Sequence, residues 1–531
     1  MRRVLTDHAL RRVELAFFAF GVAEYGVWVA VLVYAYQRGG ATLAGVIAVV
    51  QLIPAAVVAP LAARSADHRG AAATLKLGYA LQALTLSATA AALLAGAPSV
   101  IVYVGAVVTA SAVTLVRPAQ SALLPSLVSE PADLTAANAV STWMESVSVL
   151  VGPALAGVMI GIDGPGAALA LFAAALLAGA VLVAPLAGAG GFAVGDAEDD
   201  PAGAGVLSAL RDDPGVSVLL GLVGVQFIAV GALDVLEVVL AVSVLGLGPS
   251  GAGYLGAAYG AGAAVGAVGA FTLIGRPRLT ATALAAAGVF GAAFVGLGAW
   301  TVVAGAFALI CVVGAGHAVL DVASRTILHR VVPVTIRGRV FGIQEGLSML
   351  GLAIGSILVA PLVHAGGAAL ATAVIGGLLV VATLFSAPTL GGIERAAPPP
   401  SAELAALRRS ALFELLAGPV LEDLARALIA RSVEAGVAVV REGDPGNLFY
   451  LVAAGEFDVS VAGRHIRTLV TGDGFGEIAL LRDGIRTATV TARTRARLYA
   501  LPREPFLEAV TGSHQVHQAA EELVSDRLAN A

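Results

Sequence analysis

The sequence predicts two fold classes in one chain: an all-α membrane domain of twelve transmembrane helices, six plus six, followed by an α+β domain built on a β-roll. Three observations lead there. First, 58% of the 531 residues are hydrophobic and 13% charged, against about 25% charged in ordinary soluble chains. Second, the deficit is local: residues 1–400 hold 36 of the 67 Asp, Glu, Lys and Arg, and residues 401–531 hold the other 31, about 9% against about 24%. Third, long apolar runs fill the first part, whereas strand-like alternation sets in after Val433.

A membrane-crossing helix needs roughly 20 apolar residues. Twelve runs qualify, at about 14–36, 41–62, 75–95, 99–121, 136–160, 166–187, 215–245, 251–274, 280–299, 301–324, 340–363 and 367–388. The polar stretch 188–213 divides them six and six, giving halves of about 1–187 and 214–390. The N-terminus has no A-x-A-type cleavage site and reads as a retained first helix. Basic residues gather before run 1 (Arg2, Arg3, Arg11, Arg12) and in the join 2–3 (Arg64, His68, Arg69, Lys76). They gather again in the joins 8–9 (Arg276, Arg278) and 10–11 (Arg325 to Arg339). The odd-to-even joins are nearly free of them, Arg38 excepted. The positive-inside rule then places both termini, the central loop and the tail in the cytoplasm of a multi-pass protein of the cell (plasma or inner) membrane. Cys311 has no partner for a disulfide, and a net charge of −5 suggests no nucleic-acid partner.

Twelve runs in two sixes resemble the major facilitator superfamily. "PLAARSADHRG" (Pro60 to Gly70) occupies the place of that family's G-x-x-x-D-R-x-G-R-R loop; Asp67 and Gly70 match, while Ala63, His68 and Ala71–Ala72 depart from it. "VGPALAGVMIG", with Gly152, Pro153 and Gly157, looks like the glycine-proline motif of the exporter branch. "VRPAQSALLPSLV" and the segment "GALDVLEVVLAVSVLGLGPSGAGYLGAAYGAG" resemble the enterobactin-exporter and macrolide-efflux group. Arg117 precedes Pro125 by eight residues, as Arg325 precedes Pro333, at the corresponding ends of runs 4 and 10. Halves that repeat in this way are typical of transporters. The resemblance implies a secondary active membrane transporter, an exporter or antiporter; allosteric regulation is expected from the fused tail on the same side of the membrane.

Ionisable residues inside spans are costly and face cavities or partners. They are Glu24, Glu145, Asp234, Glu237, Asp321 and Glu345; Asp234 and Glu237 share one helix face. Runs 1 and 7 are counterparts, as are 5 and 11, so acids fall at matching places in both halves. Glu24, Asp234 and Glu237 are the candidates for proton coupling, with Arg117, Arg325 and Asp67 as further transport residues. Glu145 and Asp321 are expected as structural partners of Arg117 and Arg325. The rest of the cavity reads as apolar, with Tyr25, Trp28, Gln51, Gln226 and Trp143 as contacts, suited to a small amphipathic substrate.

Residues 391–401 form a proline-rich linker through Pro398 to Pro400, and 402–531 a second domain. Helices are expected over Ala402 to Leu416 and Val420 to Ala430, then strands with turns at Gly443, Asp444-Pro445-Gly446, Gly455 and Ala462-Gly463. After Arg503 the pattern returns to helix. Within this tail lies "GDGFGEIALLRDGIRTATV", Gly472 to Val490. Gly476 permits close backbone approach, Glu477 to Leu481 can form one turn with free N–H groups, and Arg486 follows Glu477 by nine residues. One acid and one arginine suit a ligand with a hydroxyl and a phosphate. Arg482 and Asp483 read as a solvated turn.

The stretch resembles the phosphate-binding cassette of cyclic-nucleotide-binding domains, F-G-E-x-A-L-(x)n-R-[STA]-A-[TS]-V. It matches at Phe475, Gly476, Glu477, Ile478, Ala479, Leu480, Arg486, Thr487 and Ala488. The resemblance implies that Glu477 binds the ribose 2′-hydroxyl and Arg486 the cyclic phosphate. It also implies amide donors at Gly476, Ala479, Leu480 and Ala488, and base contacts at Leu523, Val524 or Arg527. Thr487 favours cGMP in some family members, but bacterial cAMP binders use Ser or Thr there too, so cAMP is favoured over cGMP. No nucleophile–base constellation and no metal-ligand cluster is visible, so the chain is not read as an enzyme and no metal is expected. Two alternatives stand beside the regulated exporter. One is a membrane scaffold with little transport, whose tail senses nucleotide or assembles a homodimer; the other is a lipid or lysolipid flippase.

Overall fold

The structure is a computed structural model. It describes residues 7–127, 131–186, 214–271, 279–300, 302–332, 334–396, 401–482, 484–511 and 514–529, except 411, 414, 415 and 417. The described chain separates into two compact units, the helical part through Ala396 and the tail from Ser401.

The first unit is all α: α1 (His8–Arg69), α2 (Ala71–Leu94), α3 (Ser99–Leu127), α4 (Pro131–Val183), α5 (Pro214–Val239, prolonged by a π turn over Leu240–Val244), α6 (Ser250–Phe271), α7 (Leu279–Ala299), α8 (Val303–Val331) and α9 (Val334–Ala396). Eight of the described helices are long and apolar enough to cross a membrane. A helix satisfies its own backbone hydrogen bonds, which hydrocarbon cannot do for it. Three helices contain the same break: Gly39–Gly40 in α1, Asp163–Gly164 in α4 and Gly366–Gly367 in α9. The second residue has φ of 61°, 77° and 72° with ψ of −157°, −174° and −173°. That region is open essentially to glycine alone. The breaks fall where the sequence separates runs 1 from 2, 5 from 6 and 11 from 12.

The two halves repeat one packing. A Cβ on Gly152 of α4 would meet Val22 O at 2.6 Å, Tyr25 Cβ at 3.0 Å and Gly26 N at 3.1 Å of α1. A Cβ on Gly351 of α9 would meet Gly224 O at 2.7 Å, Phe227 Cβ at 2.9 Å and Ile228 N at 3.1 Å of α5. Both crossings bring backbones into contact through a small residue, as membrane helices do. By this contact register Val22 in the first half corresponds to Gly224 in the second, and Gly152 to Gly351.

The tail opens with α10 (Ser401–Leu407) and α11 (Gly418–Ala427) and closes with α13 (Arg503–Thr511) and α14 (His514–Ala529). Between them run β1 (Ile429–Val433), β2 (Ala438–Val440), β3 (Leu448–Ala454), β4 (Phe457–Val461), β5 (Arg464–Leu469), β6 (Gly474–Phe475), the short α12 (Glu477–Leu481), β7 (Thr489–Ala492) and β8 (Ala496–Pro502). Two antiparallel four-stranded sheets, ordered β1-β8-β3-β6 and β2-β7-β4-β5, make the roll. Alternation along β3 divides the interior. Phe449 and Leu451 face the helices, where Phe449 stacks on Phe506 at 4.9 Å, while Tyr450 and Val452 face the roll with Phe457, Phe475 and Val490. Helix α10 is shorter than the expected Ala402 to Leu416. The chain turns at Arg408 to Ser410 and buries Phe413 edge-on against Phe449 at 5.5 Å, a tertiary contact that overrides helical periodicity. Likewise β1 begins at Ile429, ahead of the expected onset, because Ile429 pairs with Ala500 of β8.

Candidate functional site

In the tail, α12 and the loop after it close one end of the roll over a cavity of about 640 Å³. The sequence around it folds as its glycines require. Gly476 caps α12 in the left-handed region at φ 96°, and a Cβ there would sit 2.5 Å from Arg486 Nη1. The Arg486 backbone is pinned from both sides, its N–H donating to Asp444 O at 2.8 Å and its carbonyl accepting from Gly443 N at 2.9 Å. The side chain is 5% exposed; Nη2 donates to Leu448 O at 2.7 Å and Nη1 to Gly476 O at 3.1 Å, with Tyr450 under the guanidinium. Burial draws this guanidinium below the usual arginine value, opposed by Tyr450, Glu477 and Asp444.

Glu477 is fully buried. Its Oε1 accepts from Arg527 Nη1 of α14 at 2.7 Å, while Oε2, facing no donor, has no hydrogen-bond partner. Arg482 Nη2 makes a second clasp to Glu521 of α14, also at 2.7 Å, so Arg482 is held rather than merely solvated; Asp483 lies outside the described residues. The cavity is lined by Phe475, Gly476, Glu477, Ile478 and Ala479 on one side and Arg486, Thr487 and Ala488 on the other. Leu480 is absent from the lining; its side chain packs in the core beneath the helices. Leu523 and Arg527 reach the cavity, whereas Val524 is buried outside its lining. Sequence reading missed Arg467 of β5, which lines the same cavity half-buried.

In the membrane unit, Arg117 of α3 bridges Glu24 of α1 at 2.8 Å and Glu145 of α4 at 2.5 Å. Asp321 and Arg325 pair one turn apart on α8 at 3.0 Å. Asp234 accepts a hydrogen bond from Trp28 of α1, and Glu237, beside it on α5, is 7% exposed. Glu345 and Trp143 are exposed, and Asp67 lies among residues 55–69, whose side chains are outside the described part. The expectation that acids occupy matching places in the two halves is corrected here. By the contact register the counterpart of Glu24 is Gln226 and that of Glu145 is Gln344, because counting from apolar runs misses the offset that the helix crossings fix. Gln226 instead bonds His317 Nδ1 at 3.0 Å, inside the rings of Phe227, Tyr259 and Phe290.

A helical bundle of membrane-crossing length, joined to a β-roll with a glutamate–arginine cavity, defines a multi-pass membrane protein with a ligand-sized cavity in its tail. Residues 13–309 match the Major Facilitator Superfamily, and the chain belongs to that family. Residues 430–512 match the Cyclic nucleotide-binding domain. Over 98 residues the chain is 44% identical to a cAMP-dependent protein kinase regulatory subunit of Yarrowia lipolytica, covering 17% of this chain and 26% of that one. Over 103 residues it is 38% identical to a cGMP-dependent protein kinase of Toxoplasma gondii, covering 19% and 10%. The chain thus spans about a quarter or less of the length of these curated relatives. Among solved structures, the regulatory domain of Toxoplasma gondii PKA with cAMP is similar at 34% identity, over 21% of this chain and 44% of that one, with a TM-score of 0.20.

Proposed function

We propose that the protein is a secondary active exporter of a small amphipathic molecule, set by a cyclic nucleotide bound in its tail. The observation that carries this reading is the pocket: in a chain of a transporter family, Glu477 and Arg486 are both buried on one cavity of about 640 Å³, within the range of small-ligand sites. Arg486 receives the cyclic phosphate and Glu477 the ribose hydroxyl, with Thr487 and Ala488 completing the phosphate turn. The carboxylate oxygen that has no partner, Oε2, is the acceptor a hydroxyl needs.

The breaks at Gly39–Gly40, Asp163–Gly164 and Gly366–Gly367 support a reading of twelve spans, three helices halved into six beside six unbroken ones, with both termini and the tail cytoplasmic in the cell membrane. The expected domain limits of 1–390, 391–401 and 402–531 are kept in outline, with the linker shortened because α9 continues to Ala396 and α10 begins at Ser401. Asp234 and Glu237 exchange protons during transport, and Glu24, tied to Arg117, serves as the partner that is released when the halves rock. Nucleotide binding at Glu477, whose other oxygen holds Arg527, shifts α14; the covalent fusion lets that shift bias the transport cycle. Coupling of this kind is typically about 1–3 kcal/mol. Of the two nucleotides, cAMP is favoured over cGMP, as in the sequence reading.

Binding tests the pocket first. The full chain in lipid nanodiscs, titrated calorimetrically with cAMP and with cGMP, is expected to bind at one site. Arg486→Ala should weaken both nucleotides by at least about thirtyfold, since removing one partner of a buried, hydrogen-bonded charge costs about 2–5 kcal/mol. Failure of either nucleotide to bind wild-type protein would overturn the reading.

A further inference from the structure

Glu14, in the second turn of α1, is 1% exposed and pairs with no Lys, Arg or His among the described residues. Its carboxyl group meets Ser141 of α4, whose Oγ lies 2.7 Å from Oε1 and 2.9 Å from Oε2. Gln120 of α3 donates to the same Oγ through Nε2, more loosely at 3.4 Å. Gln120 Oε1 and the hydroxyl of Tyr79, on α2, are buried and have no hydrogen-bond partner. Glu14 lies near enough to Tyr79 to act on it. Four helices thus bring one acid and three neutral polar groups together inside the first half.

Packing alone does not call for them. The step from Val22 to Gly224 carries Glu14 to Val216 of α5, and the step from Gly152 to Gly351 carries Ser141 to Val340 of α9. Both valines are buried. The second half fills these two places with apolar side chains, so the polar network of the first half answers another need.

The hydrogen-bond count gives the form of the acid. A hydroxyl has one proton to donate and two lone pairs. Both O···O distances are those of a full O–H···O bond, and one proton cannot serve both. The second proton belongs to the carboxyl group. Glu14 then donates to Ser141 Oγ, Ser141 donates to the other carboxyl oxygen, and Gln120 fills the remaining lone pair. A charged carboxylate here would have one shared donor and no cation, which is costly inside a membrane helix. The charged groups of the surrounding helices are engaged elsewhere. Arg117, one turn from Gln120 on α3, binds Glu24 and Glu145, the latter one turn from Ser141 on α4. Lys76, one turn from Tyr79 on α2, donates to Leu186 O. His8, Arg11 and Arg12 of α1 are exposed.

We infer that Glu14 carries a proton of the transport cycle, bound in this conformation and released when α1 shifts against α4. This rests on the reading of the membrane unit as a proton-coupled transporter. On release the O–H bond at Glu14 breaks, the proton passes to water at the end of the bundle where α1 begins, and the electron pair stays on the carboxylate. Ser141 keeps its proton on that carboxylate, and the unbonded Tyr79 hydroxyl is the second donor the charge then needs.

Two measurements on the full chain in lipid vesicles test this. Infrared spectra at neutral pH should show a protonated-carboxyl band that shifts in D2O and loses intensity in Glu14→Gln. The second is steady-state accumulation of the amphipathic dye ethidium, with the membrane potential held at zero and a gradient of about one pH unit imposed; each coupled proton then contributes about tenfold to the accumulation ratio. Glu14→Gln should lower that ratio by about tenfold. Glu14→Val should do the same while staying folded, because valine has nearly the volume of glutamate and Ser141 can turn its hydroxyl back to the carbonyl four residues earlier. A steady-state ratio does not depend on how many molecules are active, so an imperfect fold cannot imitate the loss. An infrared band unchanged in Glu14→Gln overturns the inference, as does an accumulation ratio unchanged in both variants. Wild-type vesicles that accumulate no dye under the gradient would instead sink the proton-coupled reading, and the inference with it.

Discussion

The link between Glu477 and Arg527 yields the sharpest stability prediction. Both side chains are buried, 1% and 12% exposed, and they meet at 2.7 Å. Arg527→Ala leaves a fully buried carboxylate without a donor. Breaking a buried pair by removing one member costs about 3–5 kcal/mol. The lower end applies here, because Glu477 Oε2 and Arg527 Nε already lack partners, so the pair is not fully satisfied. A loss of about 3 kcal/mol corresponds to roughly a hundredfold change in an opening equilibrium. It should appear in α14, which this pair and the Arg482–Glu521 clasp fasten to α12. Hydrogen exchange by mass spectrometry, on the ligand-free full chain, should show peptides within 514–529 exchanging about a hundredfold faster, with helices of the membrane unit unchanged. Adding Glu477→Gln to Arg527→Ala should recover most of the protection, since a buried neutral amide costs about 1–3 kcal/mol and no charge is stranded. Protection of α14 within about threefold of wild type in Arg527→Ala would refute the reasoning.

Further outcomes follow from other sites. Arg117→Ala strands two carboxylates at once and should lower thermal stability in detergent, and Glu24→Gln with Glu145→Gln in the same chain should restore part of it; an unshifted melting curve would deny the bridge its role. Gly367→Ala places a Cβ in a backbone region reserved for glycine and should cost about 1–3 kcal/mol, read as a lower melting temperature, whereas the same change at Gly377, where a Cβ would meet nothing within 4 Å, should be nearly neutral. Asp234→Asn or Glu237→Gln should abolish dye transport driven by a pH gradient in proteoliposomes, and unchanged transport in both would remove proton coupling from these acids.

Much of this molecule is legible from local signals, and what is not depends on register. The cassette from Phe475 to Ala488 could be read because its chemistry is compressed into one turn and one loop, with glycine where the backbone needs it. Arg467 could not. Its entry into the cavity depends on the β2-β7-β4-β5 ladder, and a register shift between Val459 and Ser460 decides which residues of β5 share a face with the cavity-lining Val440, Val459 and Val490. In the membrane part the apolar runs give helix positions, and the Arg117–Glu145 pair follows from neighbouring runs. The third member, Glu24, comes from 93 residues away and depends on how α1 crosses α3 and α4. The matching of Glu24 with Gln226 rather than with an acid has the same origin: a few residues of offset between the halves, set by where glycines let backbones touch. His317 gave no sequence signal, since a single histidine in an apolar run is most often a packed core residue; its rings and Gln226 are visible only in three dimensions.

The central claim is that a cyclic nucleotide in the tail alters transport by the membrane unit. Proteoliposomes holding the full chain, loaded with a fluorescent amphipathic dye and driven by a pH gradient, test it directly. Saturating nucleotide should change the initial rate several-fold in wild-type vesicles, with half-effect near the measured dissociation constant, and should leave Arg486→Ala vesicles unaffected at the same concentration. Equal rates with and without nucleotide, in a preparation shown to bind it, would contradict the account.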